Sequence, residues 1–213
     1  MMRTIKNGAN GAFSGKVGSV VGSNWRDVDY IRGLSKRSTK KPTEKQSQAR
    51  RNFGLLSEFL GSLRAVIDQG FKHEDTRRAT ALNLAIQANY QVFENVQADA
   101  LPDYAKVILS KGRLVGKPAG CNLSSAGAGV MRITWEMYSN SALERGVDQA
   151  TIVLYSPSLK ESLILSDQYL RQDQMAEIHL PGSWADQNLC VYMFMTSMED
   201  QNSDSVFVGF FTN

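Results

Sequence analysis

The stretch VMRITWEM at residues 130–137 decides the fold. Met131, Ile133 and Trp135 alternate with Arg132 and Thr134, the period of two that turns one strand face to a core and the other away from it. Six further β-rich runs accompany it: YAKVILS (104–110), ATIVLYS (150–156), ESLILS (161–166), MAEIHL (175–180), NLCVYMFMTS (188–197) and DSVFVGFF (204–211). Polar turns separate them. Seven short strands at this spacing predict an all-β sandwich over residues 104–213. No WD-type or kelch-type dipeptide repeats, which argues against a propeller. Met193 and Met195 read as core filler or interface.

Upstream the texture changes. Thr43 followed by Gln46 has the spacing of a capping box. Phe53, Leu56, Phe59, Leu60, Leu63, Val66 and Ile67 then step by three and four, predicting one amphipathic helix to about Gln69, with Gly70 as its stop. A weaker stripe, Ala79, Leu82, Ala85, Ile86, Ala88, Asn89 and Phe93, predicts a second helix over 76–93. The short connection makes a helical hairpin.

The first 35 residues are rich in glycine, with Gly8, Gly11, Gly15, Gly18 and Gly22 at spacings of three and four. A close-packing helix face would pay about 1 kcal/mol per glycine relative to alanine. Val17, Val20, Val21, Trp25, Val28, Tyr30 and Ile31 favour strands instead. The expectation is a hairpin, roughly 17–25 paired with 28–33, turning at Arg26–Asp27. Such a hairpin is marginal alone and must pack on the body or on another subunit. A polar linker, LSKRSTKKPT (34–43), follows. The chain therefore reads as α+β: an arm with hairpin and two helices over 1–100, then the sandwich over 104–213.

Charge is distributed unevenly. Residues 1–52 carry 12 Lys/Arg and 3 Asp/Glu, a net of +9, whereas the remaining 161 residues carry 12 and 18, a net of −6. A basic arm on an acidic body suggests a tether. Lys36, Arg37, Lys40, Lys41, Lys45, Arg50 and Arg51 place seven cations in 16 residues, interleaved with Ser, Thr and Gln. That composition suits phosphate contacts, while the lack of interleaved aromatics does not indicate base stacking. Three readings stay open: a polyanion such as nucleic acid, an acidic partner subunit, or a solvated face. Lys45 in a first helical turn opposes the helix dipole, which favours an external anion. Trp25 and Tyr30 flank the predicted turn; they anchor the arm to a neighbour or pack on the helix pair.

No catalytic motif, cofactor motif or metal-ligand spacing accompanies the arm. His73 and His179 stand without Ser, Cys or Asp at a motif spacing, and Cys121 and Cys190 are far apart in sequence. No GxxxxGK[ST], GxGxxG or calcium-loop pattern occurs. No apolar run approaches the roughly 18–20 residues of a membrane span. The N-terminal MMRTIKNGANGAFSGKVGSVVG lacks the apolar region of a secretory signal, so cytosolic synthesis and free thiols are expected.

The region 104–213 resembles a fibronectin type III domain. VMRITWEM looks like the second strand of such domains, with Trp135 as core tryptophan. LPGSWADQNLCVYMFMTS (180–197) looks like their turn into the sixth strand, with Leu180, Pro181 and Trp184 near the corner and the usual corner tyrosine replaced or displaced. An antibody-type variant of this immunoglobulin-like sandwich would pair Cys121 with Cys190 around Trp135, although CNLSSAGAG around Cys121 reads as a loop. The whole chain also resembles an uncharacterised family common in Bacteroidota genomes and their mobile elements, through GKVGSVVGSNW (15–25), YIRGL (30–34) and KPTEKQSQARRNF (41–53). These resemblances imply a fold and no activity. The expected role is a non-enzymatic assembly protein of a phage-like particle or large homomeric complex, self-associating or meeting other structural subunits or nucleic acid. The alternative is a module binding a glycan or protein through the sandwich loops.

Overall fold

The computed structural model describes residues 3–4, 13–25, 28–36, 39–74, 79–94, 96–97, 100–137 and 145–212. The chain divides into two compact units, Met1–Thr43 and Glu44–Asn213. That boundary differs from the one near residue 100 suggested by texture, because the helices share a core with the sandwich.

The first unit is a small antiparallel sheet. Strands β1 (Arg3–Thr4), β2 (Gly15–Val17), β3 (Val20–Trp25) and β4 (Val28–Gly33) lie in the order β1-β4-β3-β2. The expected hairpin is β3 with β4, in a register that sets Trp25 opposite Val28 and Val20 opposite Gly33. The two outer strands extend it. Gly18, at φ +58°, supplies the left-handed turn that joins β2 to β3. Gly8, Gly11, Arg26–Asp27 and Arg37 lie outside the described residues.

The second unit has three layers. Helices α1 (Glu44–Ser62), α2 (Arg64–Gly70) and α3 (Ala81–Glu94) form one. Strands β5 (Ala119–Gly127), β6 (Val130–Glu136), β7 (Gln149–Ser156), β8 (Glu161–Leu170), β9 (Met175–His179), β10 (Asn188–Thr196) and β11 (Val206–Thr212) form two antiparallel sheets, β11-β10-β7-β8 and β5-β6-β9. This three-on-four sandwich with helices on one face is the α+β arrangement the sequence implied.

Two cores result. One lies between the sheets and holds Met131, Ile133, Trp135, Ile152, Leu154, Val191, Met193 and Met195. The other lies between the helices and the outer face of the four-stranded sheet, where Leu56, Phe59, Leu60, Leu63, Ile67 and Phe93 meet Val153, Tyr155, Tyr192 and Phe194. Strands β7 and β10 are thus buried on both faces. Their apolar runs, IVLY and LCVYMFM, are what two-sided burial requires, whereas β6 and β9 alternate because one face is covered.

Four local expectations are corrected. The single helix from 43 to 69 breaks at Leu63, whose N–H bonds the Leu60 carbonyl at 3.3 Å in a tighter turn; Leu63 remains fully buried. The second helix begins at Ala81. The run 104–110 is not a strand: Tyr104–Lys106 form a 3-10 turn, and Asn89 occupies the backbone groups of Ile108. Conversely, the loop-like CNLSSAGAG belongs to β5 as far as Gly127, an edge strand of small residues with two register shifts.

Candidate functional site

The structure separates the basic run. Lys36, Lys40 and Lys41 lie in the irregular segment between β4 and α1; Lys45, Arg50 and Arg51 lie on α1. All six are exposed. At 3.6 residues per turn, Arg50 and Arg51 stand about 140° and 240° around the helix from Lys45, so the three share no face. The Arg51 guanidinium also donates to the Val96 carbonyl at 3.0 Å. Lys45, Arg50 and Arg51, clustered in sequence, are therefore separate charges around α1. By compact unit, residues 1–43 carry 9 Lys/Arg and 2 Asp/Glu, a net of +7; residues 44–213 carry 15 and 19, a net of −4.

Trp25 and Tyr30 do come together on one face. Residues opposite one another in an antiparallel ladder share a side. The pairs Trp25–Val28, Ser23–Tyr30 and Val21–Arg32 place Trp25, Val28, Tyr30 and Arg32 on the same face, joined by Lys16 opposite Val21. Trp25 is 46% exposed and Val28 47%. On the opposite face, Asn24 Nδ2 donates to Asp29 Oδ1 at 2.8 Å.

A site that sequence reading did not find lies in the second unit, on the helix side of the four-stranded sheet. Odd-numbered residues of β7 and even-numbered residues of β10 face the helices. Tyr155 and Val153, with Tyr192 and Phe194, are covered by them; further along the same strands stand Thr151, Gln149 and Thr196. The change from apolar to hydroxyl and amide side chains marks where helical cover ends. A groove of about 760 Å³ opens there, walled by Val66 and Gln69 of α2 and closed by Met198 and Asp200. That volume is typical of ligand sites.

Its outer wall is a bulge. Ala150 pairs with Tyr169 and Ile152 with Leu165, so three residues, 166–168, oppose Thr151 alone. Asp167 in that bulge has φ +61°, a left-handed conformation that Asp tolerates better than most residues. Asp200 is engaged: Gln69 Nε2 donates to its Oδ1 at 2.9 Å and Lys72 pairs with its Oδ2. His73, in the connection after α2, donates from Nε2 to the Asp200 carbonyl at 2.5 Å.

The cysteines are free thiols. Cys190 faces the helices and Cys121 packs against the inter-sheet core, so the four-stranded sheet stands between them and no bridge forms. Burial pushes the Cys121 thiol up to about 11 and the Cys190 thiol up to about 12, which suppresses the nucleophilic thiolate. His179 is exposed at the end of β9. Among the described residues no group of three His, Cys, Asp or Glu is placed to hold a metal, and no helix is long and apolar enough to cross a membrane. Trp184 is not a loop platform: it is 3% exposed, and its Nε1 donates to Glu161 at 3.1 Å.

The chain belongs to a family of unknown function, DUF6266, whose model matches residues 12–209. No curated protein matches its sequence. Among solved structures, it is similar to the fn3 domain of human collagen alpha-1(XX) chain, at 15% identity and a TM-score of 0.37, covering 49% of this chain and 88% of that one. It is also similar to the fn3 domain of human contactin 1, at 13% identity and a TM-score of 0.32, covering 48% and 84%. The sandwich assignment stands on strand order and register.

Proposed function

We propose that the protein is a non-enzymatic assembly and binding component in which the basic N-terminal unit makes the contacts and the helix-backed sandwich is the rigid body. The observation that carries this reading is the sheet face on which exposed Trp25 and Val28 stand beside half-buried Tyr30, flanked by Lys16 and Arg32. A thin sheet with such a face gains stability by covering it. The charge contrast between the two units, +7 against −4, favours an acidic protein partner, with other copies of the chain foremost. A phage-like particle or another large homomeric complex is the setting this architecture suits. Nucleic acid is the competing partner for Lys36, Arg37, Lys40, Lys41, Lys45, Arg50 and Arg51.

Light scattering coupled to size exclusion tests the reading on the full chain across concentration and salt. Self-association that weakens with salt, and falls in Trp25→Ser or Lys40→Glu/Lys41→Glu variants, is expected. A monodisperse monomer at high concentration, with and without nucleic acid, refutes it. Salt-sensitive binding of duplex or single-stranded DNA by a chain that stays monomeric would transfer the role to nucleic acid.

A further inference from the structure

We infer that a second, smaller cleft of the Glu44–Asn213 unit, where the turn before β7 meets the turn after β10, binds a small carboxylate with a hydrogen-bond donor on the adjacent carbon: a 2-amino or 2-hydroxy acid. This goes beyond the assembly reading and does not depend on it.

Three backbone segments build the cleft. The Asp148 N–H donates to the Arg145 carbonyl at 3.0 Å, a tight turn that holds both residues beside the start of β7. The turn after β10 is closed by the Ser197 N–H on the Gln201 carbonyl at 2.8 Å, and it carries Glu199. The stretch before β5 lies along that second turn. Its Leu114 N–H donates to the Asn202 carbonyl at 2.9 Å, and a Cβ on Gly112 would stand 1.8 Å from the same oxygen, so glycine is what permits the close approach. Arg113 is thereby held between two anchored residues. The space lined by Arg113, Arg145, Asp148 and Glu199 is about 240 Å³. It is smaller than the roughly 300–1,000 Å³ of sites for drug-sized molecules, and suits a ligand of a few non-hydrogen atoms.

Charge accounting specifies that ligand. Arg145 pairs with Glu199 at 2.8 Å, and Asp148 pairs through Oδ2 with Arg171 at 3.1 Å. Each pair is neutral, and two groups at the cleft are left over. Arg113 is exposed and has no ion-pair partner among the described residues. The second oxygen of Asp148, Oδ1, is buried without a hydrogen-bond partner, on a residue that is itself fully buried. An unpaired buried oxygen carries a desolvation cost that an incoming donor removes. The Arg113 guanidinium can take a carboxylate through two parallel N–H donors. A ligand that uses both groups brings an anion and, close beside it, an N–H or O–H. An ammonium or hydroxyl on the carbon next to a carboxylate meets both demands within the available space. A polyanion such as a phosphate ester is disfavoured, because one unpaired cation faces it beside the carboxylates of Asp148 and Glu199. A simple cation is disfavoured because both carboxylates are already neutralised.

Calorimetry on the full chain at low salt, with saturation-transfer NMR for weak ligands, compares L-serine, lactate, acetate and ethylamine. We expect saturable binding of L-serine or lactate. Acetate should bind roughly tenfold more weakly because it lacks the donor, and ethylamine should not bind because it lacks the anion. The tighter of the two acids identifies the donor that Asp148 accepts. Arg113→Gln should weaken binding about tenfold or more. Lys117→Gln, which removes the same charge from an exposed residue outside the cleft, should leave it unchanged. Asp148→Asn replaces the spare acceptor with a donor and should erase the preference over acetate; if that buried substitution prevents folding, the exposed Arg113→Gln variant still decides. No saturable binding of either acid, acetate or ethylamine binding as tightly as both, or equal effects of Arg113→Gln and Lys117→Gln overturns the inference.

Discussion

The side-chain amide of Asn89 stands in for a β-strand to Ile108. Its Nδ2 donates to the Ile108 carbonyl at 2.8 Å, and its Oδ1 accepts from the Ile108 N–H at 2.7 Å. Nδ2 also donates to the Ala85 carbonyl at 2.9 Å, and Asn89 is fully buried. One helical side chain thereby satisfies both backbone groups of a residue that would otherwise need a neighbouring strand. Asn89→Ala should destabilise the protein by about 2–3 kcal/mol, because it leaves those groups unpaired. Asn89→Asp should fare no better, since it loses the donor and buries a charge. Urea denaturation measures both, and a midpoint equal to that of the parent would contradict the assignment.

Arg171 and Asp148 form an ion pair at 3.1 Å with both side chains 1% exposed. Arg171 Nη2 also donates to the Gly116 carbonyl at 2.7 Å, and the Arg171 carbonyl accepts from Trp135 Nε1 at 2.7 Å. The pair ties the turn before β9 to the residue that precedes β7, and the Trp135 hydrogen bond joins β6 to the same turn. Removing one partner strands the other charge in the interior. Asp148→Ala or Arg171→Met should each cost about 3–5 kcal/mol. The double variant should cost clearly less than the two together; strict additivity would show the pair to be uncoupled.

Gly70 ends α2 where the chain crosses it closely. A Cβ there would lie 2.3 Å from the Leu109 carbonyl oxygen and 2.9 Å from the Ser110 Cα. Both are backbone atoms, so the crossing segment must move. On an open helix Gly→Ala is worth about 1 kcal/mol in favour of alanine. Here the sign should reverse, with Gly70→Ala losing about 1–3 kcal/mol from overcrowding. A thermal scan of Gly70→Ala beside Gly61→Ala, an exposed helical position with open space, separates the two effects.

Burial raises several groups that ionise at alkaline pH. Cys121 moves from 9.0 to about 11, Cys190 from 9.0 to about 12 and Tyr155 from 10.0 to about 12. Burial also raises Tyr104 and Tyr192. A group raised in the folded state keeps its proton there longer than in the unfolded chain. Its stabilisation is complete below the unfolded value and is lost as pH climbs through the folded one. Stability from these groups should therefore hold up to about pH 9 and decline from there toward pH 12. Denaturation midpoints across pH 8 to 11 check the direction, and a rise above pH 9 would contradict it. At pH 8 a thiol reagent should label the unfolded chain far faster than the native one.

Alternation at Met131, Ile133 and Trp135 made the second strand of the sandwich legible, with its tryptophan in the inter-sheet core. The other recognised strands rested on β-branched and aromatic runs, a signal that composition carries locally. The YAKVILS run misled because its composition is that of a strand while its hydrogen-bond partner is Asn89, 19 residues away. The opposite failure was CNLSSAGAG, where small residues conceal an edge strand that its neighbour β6 holds in place.

For the candidate sites, the division is sharper. The lysine-rich segment and the aromatic residues of the first sheet are visible in the chain because charge and composition are local. The groove is invisible there: Thr151, Asp167 and Val66 come from three elements, and only the end of helical cover and the β8 bulge bring them together. Periodicity and charge are carried by neighbours along the chain, so they can be read from it directly. A concavity depends on which surfaces are left uncovered after packing, and that is settled only when the helices choose their place on the sheet.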